Sequence, residues 1–206
     1  MQRLHTIFFV LLLASGTFCR ALTYENKVYS PNIKTVQLFP KGADMAMPVL
    51  NMNQNETLEL HFDDLSGKPK NYFYTVIQCH TDWTPTMMNI MEYVDGFSEA
   101  NINDYDYSNG TKIPYVHYTL EFPNTDMRIN YSGNYVLIVY ENNKENPVFT
   151  RRFMVAENKV IIDAGIAYPR SLYARDQYQE VVFKVNYKGF TIDNPQMEIK
   201  ATVMQN

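Results

Sequence analysis

The sequence predicts an all-β protein: an immunoglobulin-like β-sandwich followed by the start of a second β-sandwich. Three observations lead there. Alternating or wholly apolar runs of β-branched and aromatic residues recur between turn signals, and helical periodicity is lacking. Residues 131–140 (YSGNYVLIVY) feed a Ser-Gly-Asn turn into a tyrosine and a strand-forming run. A strand enters a sandwich in this way, its tyrosine placed to hydrogen-bond back across the corner. Finally, the 206 residues are 46% hydrophobic but hold only two cysteines. A core, not a disulfide framework, must hold the chain together.

Residues 1–21 read as a secretory signal. Arg3 precedes an apolar stretch at 7–14, and the small residues Ala14, Ser15, Gly16 and Ala21 follow. The stretch is shorter than the ~20 apolar residues a membrane span needs. Cleavage is expected before Leu22. Gly16-Thr17-Phe18 ahead of Cys19 lacks a leucine and sets a bulky ring beside the thiol, which argues against a lipid anchor. No later segment is apolar and long enough to cross a bilayer as a helix, so direct membrane insertion is not expected.

The sandwich is expected over 22–157. Its strands are 35–39 (stopped by Pro40), 57–62, 72–79, 115–122, 135–140 and 148–155. Leu58, Leu60 and Phe62 alternate with Thr57, Glu59 and His61, and 63–67 is a turn. Residues 87–93 could form one or two helical turns. Two strands are apolar on both faces. Phe73, Ile77 and Cys79 oppose Tyr72, Tyr74 and Val76; Tyr135, Leu137 and Val139 oppose Val136, Ile138 and Tyr140. An antiparallel sandwich normally wets one face of each sheet. A cover is therefore expected, and the long insert 84–111 is the candidate. It would lay Met87, Met88, Ile90, Met91, Tyr93, Val94, Phe97 and Ile102 over that outer face.

Glu157-Asn158-Lys159 reads as a boundary. Strands are expected at 160–164, 180–187 and 197–204. Three strands do not close a sandwich, so either a partner completes 158–206 or this second domain is truncated, and residues 160–206 are expected to be unstable alone.

Little in the chain suggests chemistry. Its net charge is −4, which gives no electrostatic reason to hold nucleic acid. His61, His80 and His117 look isolated, without zinc spacing. Residues 104–110 (DYDYSNG) resemble a calcium loop, but the glycine is one place late and Tyr115 stands where a bidentate Glu belongs. No serine elbow, phosphate loop or metalloprotease helix is present. No catalytic residue, metal or cofactor is expected. Cys79 reads as an inert core thiol. Tyr135, Gly133, Trp83 and Cys79 are expected to be structural. Tyr105, Asp106, Tyr107 and Asn109, in a polar acidic loop, are the expected partner contacts.

The wording of the chain carries a family resemblance. Residues 29–38 (YSPNIKTVQL), 58–65 (LELHFDDL), 71–83 (NYFYTVIQCHTDW), 92–97 (EYVDGF), 117–123 (HYTLEFP), 132–140 (SGNYVLIVY) and 150–155 (TRRFMV) follow in order. Together they resemble the plug protein of the type IX secretion system of Bacteroidota. The resemblance implies a periplasmic protein of immunoglobulin-like domains. It implies closure of the periplasmic mouth of an outer-membrane translocon β-barrel when no cargo passes, and no enzyme activity. Members are typically about twice this long. Two other readings compete. An exported glycan-binding module would use Trp83, Tyr105 and Tyr107 as coplanar stacking surfaces. A hydrolase would need a carboxylate pair in a cleft.

Overall fold

The structure, a computed structural model, describes residues 22–52, 54–169, 178–187, 189 and 191–203. The expected signal, with Cys19, lies outside the described residues.

Among the described residues, fourteen strands and two short helices are formed. They are β1 (Lys27–Val28), β2 (Ile33–Pro40), β3 (Val49–Asn51), β4 (Leu58–Asp64), β5 (Tyr72–Cys79), α1 (Ile90–Tyr93), β6 (Val94–Gly96), β7 (Ala100–Ile102), β8 (Asp104–Tyr107), β9 (Val116–Phe122), β10 (Met127–Ile129), β11 (Gly133–Tyr140), β12 (Pro147–Ala156), β13 (Ile161–Ala167), β14 (Glu180–Asn186) and α2 (Pro195–Glu198).

Two sheets make the sandwich. One runs β1-β12-β11-β5-β7, with β3 added in parallel to β12; the other runs β2-β4-β9-β8. The cause is visible in the alternation of β4, where Leu58, Leu60 and Phe62 are wholly buried and the residues between them are half-buried. Tyr118 and Phe122 of β9 join them from the same sheet; Tyr72, Tyr74, Val76, Tyr135, Leu137, Val139, Phe149 and Phe153 enter from the other. Aromatic rings lock the layers. Phe62 stacks on Tyr118 at 4.9 Å and meets Phe149 at 63°. Such ring pairs add about 0.5–1.5 kcal/mol each beyond their buried area.

The segment 84–111 is not a lid, which corrects the sequence-based expectation. Tyr74 and Val76 share the inner face with Val139 and Leu137. Into that same core the segment sends Tyr93, Val94 and Ile102, with Ile90 packed beside them. Met87 is fully exposed, and Met91 and Phe97 are largely so. The segment then supplies an edge strand to each sheet, β7 on β5 and β8 on β9. Its contact with the outer face is at the rim: the Tyr140 hydroxyl donates to Glu99 at 2.5 Å, and the Thr75 hydroxyl to the Ser98 carbonyl at 2.7 Å.

The outer face is covered instead by the first described residues together with Trp83 from the turn after β5. Leu22, Tyr24 and Trp83 pack on Cys79, Val136, Ile138 and Tyr140. Arg152 pins that segment. Its Nε donates to the Tyr24 carbonyl at 2.7 Å, and its guanidinium sits 4.3 Å over the Trp83 ring. The Thr150 hydroxyl donates to the Glu25 carbonyl at 2.6 Å.

Beyond Glu157, β13 and β14 pair as an antiparallel hairpin. The third expected strand is not formed among the described residues. Pro195 sits at the first turn of α2, where its fixed φ favours a helix start, and Glu198 accepts from the Asn194 amide at 2.9 Å. That local chemistry wins over the apolar spacing of 197–204, of which 204 lies outside the described residues.

Candidate interaction surface

The expected contact residues lie on β8 and the turn after it. Strand β8 is the last in its sheet, paired with β9 on one side. All four of its residues are exposed. Tyr105, opposite Tyr118, leans on that ring at 5.6 Å. Tyr105 and Tyr107 meet edge to face at 83°. Asp104 and Asp106 take the other face, opposite Thr119 and His117. Asn109 is exposed in the turn. Ser108 shapes that turn, its hydroxyl oxygen accepting from the Tyr115 amide at 2.9 Å and from Thr111 at 3.0 Å. An edge strand offers unpaired N–H and C=O groups to a partner.

The neighbouring outer face holds a network the sequence reading missed. His61 and His117 are not isolated. Their rings stack at 5.3 Å, with Nδ1 of His61 and Nε2 of His117 3.2 Å apart. His117 Nδ1 lies 2.7 Å from Asp63, and Phe39 stacks on the other side of His61. Alternation along β4 and β9 put both histidines outward; only the register between the strands could bring them together. Among the described residues, no three His, Cys, Asp or Glu side chains converge on a metal position.

The four expected structural residues sit at corners and in cores. The Tyr135 hydroxyl donates to the Tyr131 carbonyl at 2.8 Å and accepts from Gln78 at 3.2 Å. Gly133 starts that strand at φ +144°, a region open chiefly to glycine. Trp83 has φ +68°. It is held in a tight turn in which its amide donates to His80 at 3.0 Å and Asp82 caps Thr84. Cys79 is a buried free thiol; burial pushes its pKa up to about 11 against the pull of Arg152. It is thus a poor nucleophile.

A family model, described as the first domain of the type 9 secretion system plug protein, matches residues 33–157. The chain belongs to that plug family. The matched span runs from the first residue of β2 to just past β12, the body of the sandwich. A crystal structure of a hypothetical protein from Parabacteroides merdae is similar at 34% identity, with a TM-score of 0.80. The alignment covers 85% of this chain and 45% of that one, so this chain spans about half that protein's length. A DNA-bound alkylpurine DNA glycosylase from Pseudomonas fluorescens aligns over 60% of this chain and 30% of its own, at only 12% identity and a TM-score of 0.29. No curated protein matches the chain.

The plug domain's geometry bears on the rival readings. A sugar platform needs coplanar exposed rings. Tyr105 and Tyr107 stand nearly perpendicular, and Arg152 caps one face of Trp83 across the outer side of the other sheet. The plug family is a family of secretion domains, not of known enzymes. Two exposed surfaces stand out: the β8 edge, and an apolar groove of about 540 Å³ along the β13–β14 hairpin, lined by Val160, Ile162, Val181 and Phe183 among others.

Proposed function

We propose that the chain acts in the periplasm as a reversible plug. It would close the periplasmic side of the type IX outer-membrane translocon β-barrel when no cargo is in transit. The family match to the plug's first domain carries this reading. The physical form fits it. A sandwich tied by rings, buried hydrogen bonds and a strapped outer face is a stiff body that can obstruct a channel by shape. The exposed β8 edge, with Tyr105, Asp106, Tyr107 and the nearby Asn109, is the proposed contact. Edge strands, tyrosines and a few fixed charges suit a docking surface. The contact is with protein, not with the bilayer itself. Residues 1–21 would direct export and be removed.

Chemical crosslinking in intact cells, followed by recovery of the tagged chain from outer membranes, tests the proposal. A very large β-barrel protein should be recovered. Recovery of polysaccharide without such a protein would overturn it and favour the glycan-binding module.

A further inference from the structure

A second site opens where the edge strand β2 approaches β12. There a groove of about 480 Å³ is lined by Ser30, Lys34, Thr35, Val36 and Arg151, among others. Arg151 is unusual because it points between the sheets. It pairs with the core residue Leu137 in register, and its guanidinium lies 5.8 Å from the Phe149 ring centre. Nη1 donates to the Thr150 carbonyl at 2.9 Å and Nη2 to the Val36 carbonyl at 3.0 Å. A guanidinium carries five N–H donors, so donors remain.

No carboxylate forms an ion pair with Arg151 or Lys34 among the described residues. Carboxylates are not scarce in a chain of net charge −4. Lys41, Lys70 and Lys159 all have one. Partial burial lowers the Arg151 pKa, as it does for a half-buried cation with no counter-ion among the described residues. The backbone beside it is held out of shape. Thr35 has φ +51° where β2 slips register against β4 between Lys34 and Gln37. Positive φ is costly for a β-branched residue, and such strain gathers at ligand clamps. The slip leaves Thr35 and Val36 without partners in register on β4.

We propose that this groove binds an acidic side chain of a protein partner, a glutamate or aspartate presented on an extended segment along β2. Arg151 takes the carboxylate through its planar fork, Lys34 adds charge from the rim, and the half-buried Ser30 hydroxyl can donate. The proposal rests on the plug reading only for the source of the acidic segment.

The test uses the full chain, followed by amide and Arg Nε–H signals in a ¹H–¹⁵N spectrum. End-blocked tetraglutamate, end-blocked tetraglutamine and inorganic phosphate are titrated separately. Tetraglutamate should shift Arg151 Nε–H and the amides of residues 30–36 saturably, about tenfold or more tighter than tetraglutamine. Lys34→Glu should weaken it by about tenfold, the dispersion of the same spectrum checking that the fold is kept. Arg151→Lys should weaken it too, because the fork is lost. Equal shifts with the two peptides would overturn the proposal. So would saturation by phosphate without response to tetraglutamate, or an unchanged affinity in Lys34→Glu. No translocon takes part, so failure here leaves the plug reading standing.

Discussion

The Tyr72 hydroxyl donates to the buried Asp64 carboxylate at 2.9 Å and so bonds β5 of one sheet to β4 of the other. Asp64 also accepts from the Ser66 amide and hydroxyl, both at 2.9 Å, and pairs with Lys70 at 3.2 Å. Every donor comes from the turn between these strands or the strand that follows it. One carboxylate thus fixes the chain reversal and the spacing of the layers. Burial alone would raise its pKa, but the bonds from Ser66, Tyr72 and Lys70 outweigh burial and hold it below the ordinary carboxylate value.

Removing Asp64 should therefore be severe. Asp64→Ala leaves the Tyr72 hydroxyl and the Lys70 ammonium without their shared acceptor and should cost roughly 3–5 kcal/mol in urea unfolding. A depressed folded pKa means that the carboxylate stabilises above its unfolded value, about 4, and ceases to as pH falls through the lower folded value. Wild-type stability should fall along that acid limb, and Asp64→Ala should fall less steeply there. Parallel acid limbs would contradict the assignment.

At the other corner, Tyr135→Phe removes the bond to the Tyr131 carbonyl and leaves the ring in place. The expected cost is about 1 kcal/mol, read as a Tm several degrees lower. An unchanged Tm would mean that the hydroxyl only fills space.

That corner was legible in the sequence because a turn signal, a tyrosine and a strand run stand side by side in residues 131–140. The major strands were legible for a similar local reason, since period-two burial writes itself into each run. What the sequence hid is long-range. Leu22 and Tyr24 cover β11 and β5 because Arg152, far along the chain, binds the Tyr24 carbonyl. Strands β3, β6, β7, β8 and β10 span three or four residues each, too few to show a period. In the candidate surface, the polarity of 104–109 pointed to exposure, but not to an edge strand. Arg151 reads as an ordinary strand cation until β2 is placed against it.

Glycine positions should rank by what a methyl group meets. At Gly96 (φ +102°) a Cβ would come within 2.3 Å of the Asp126 carbonyl oxygen, in the β6–β10 pair. At Gly133 it would meet nothing closer than 3.5 Å. Gly133→Ala should cost roughly 1–3 kcal/mol from backbone strain alone. Gly96→Ala should cost more, because backbone must also move. The reverse order in denaturant midpoints would contradict this account.

The segment over the outer face ties maturation to stability. Cleavage before Leu22 would keep Leu22 and Tyr24 in the exported protein, and N-terminal sequencing of periplasmic material checks the site. Deleting residues 22–26 should lower Tm and raise binding of a hydrophobic dye, because Val136, Ile138 and Tyr140 lose their cover. Unchanged dye binding would show that the strap is dispensable.

The β8 edge should matter for docking and not for folding. Asp106→Lys with Tyr107→Ala changes exposed groups only, so stability should hold within about 0.5 kcal/mol. Crosslinking to the translocon barrel should fall several-fold. Full crosslinking would move the contact elsewhere, with the β2–β12 groove next in line.

Closure itself is measured most directly by outer-membrane permeability. Cells that keep the translocon but lack this protein are compared with cells complemented by it, using a hydrophilic solute too large for ordinary porins. The account predicts rapid entry without the protein and restored exclusion with it. Equal exclusion in both strains, with the translocon present, would contradict the claim that this chain closes the pore.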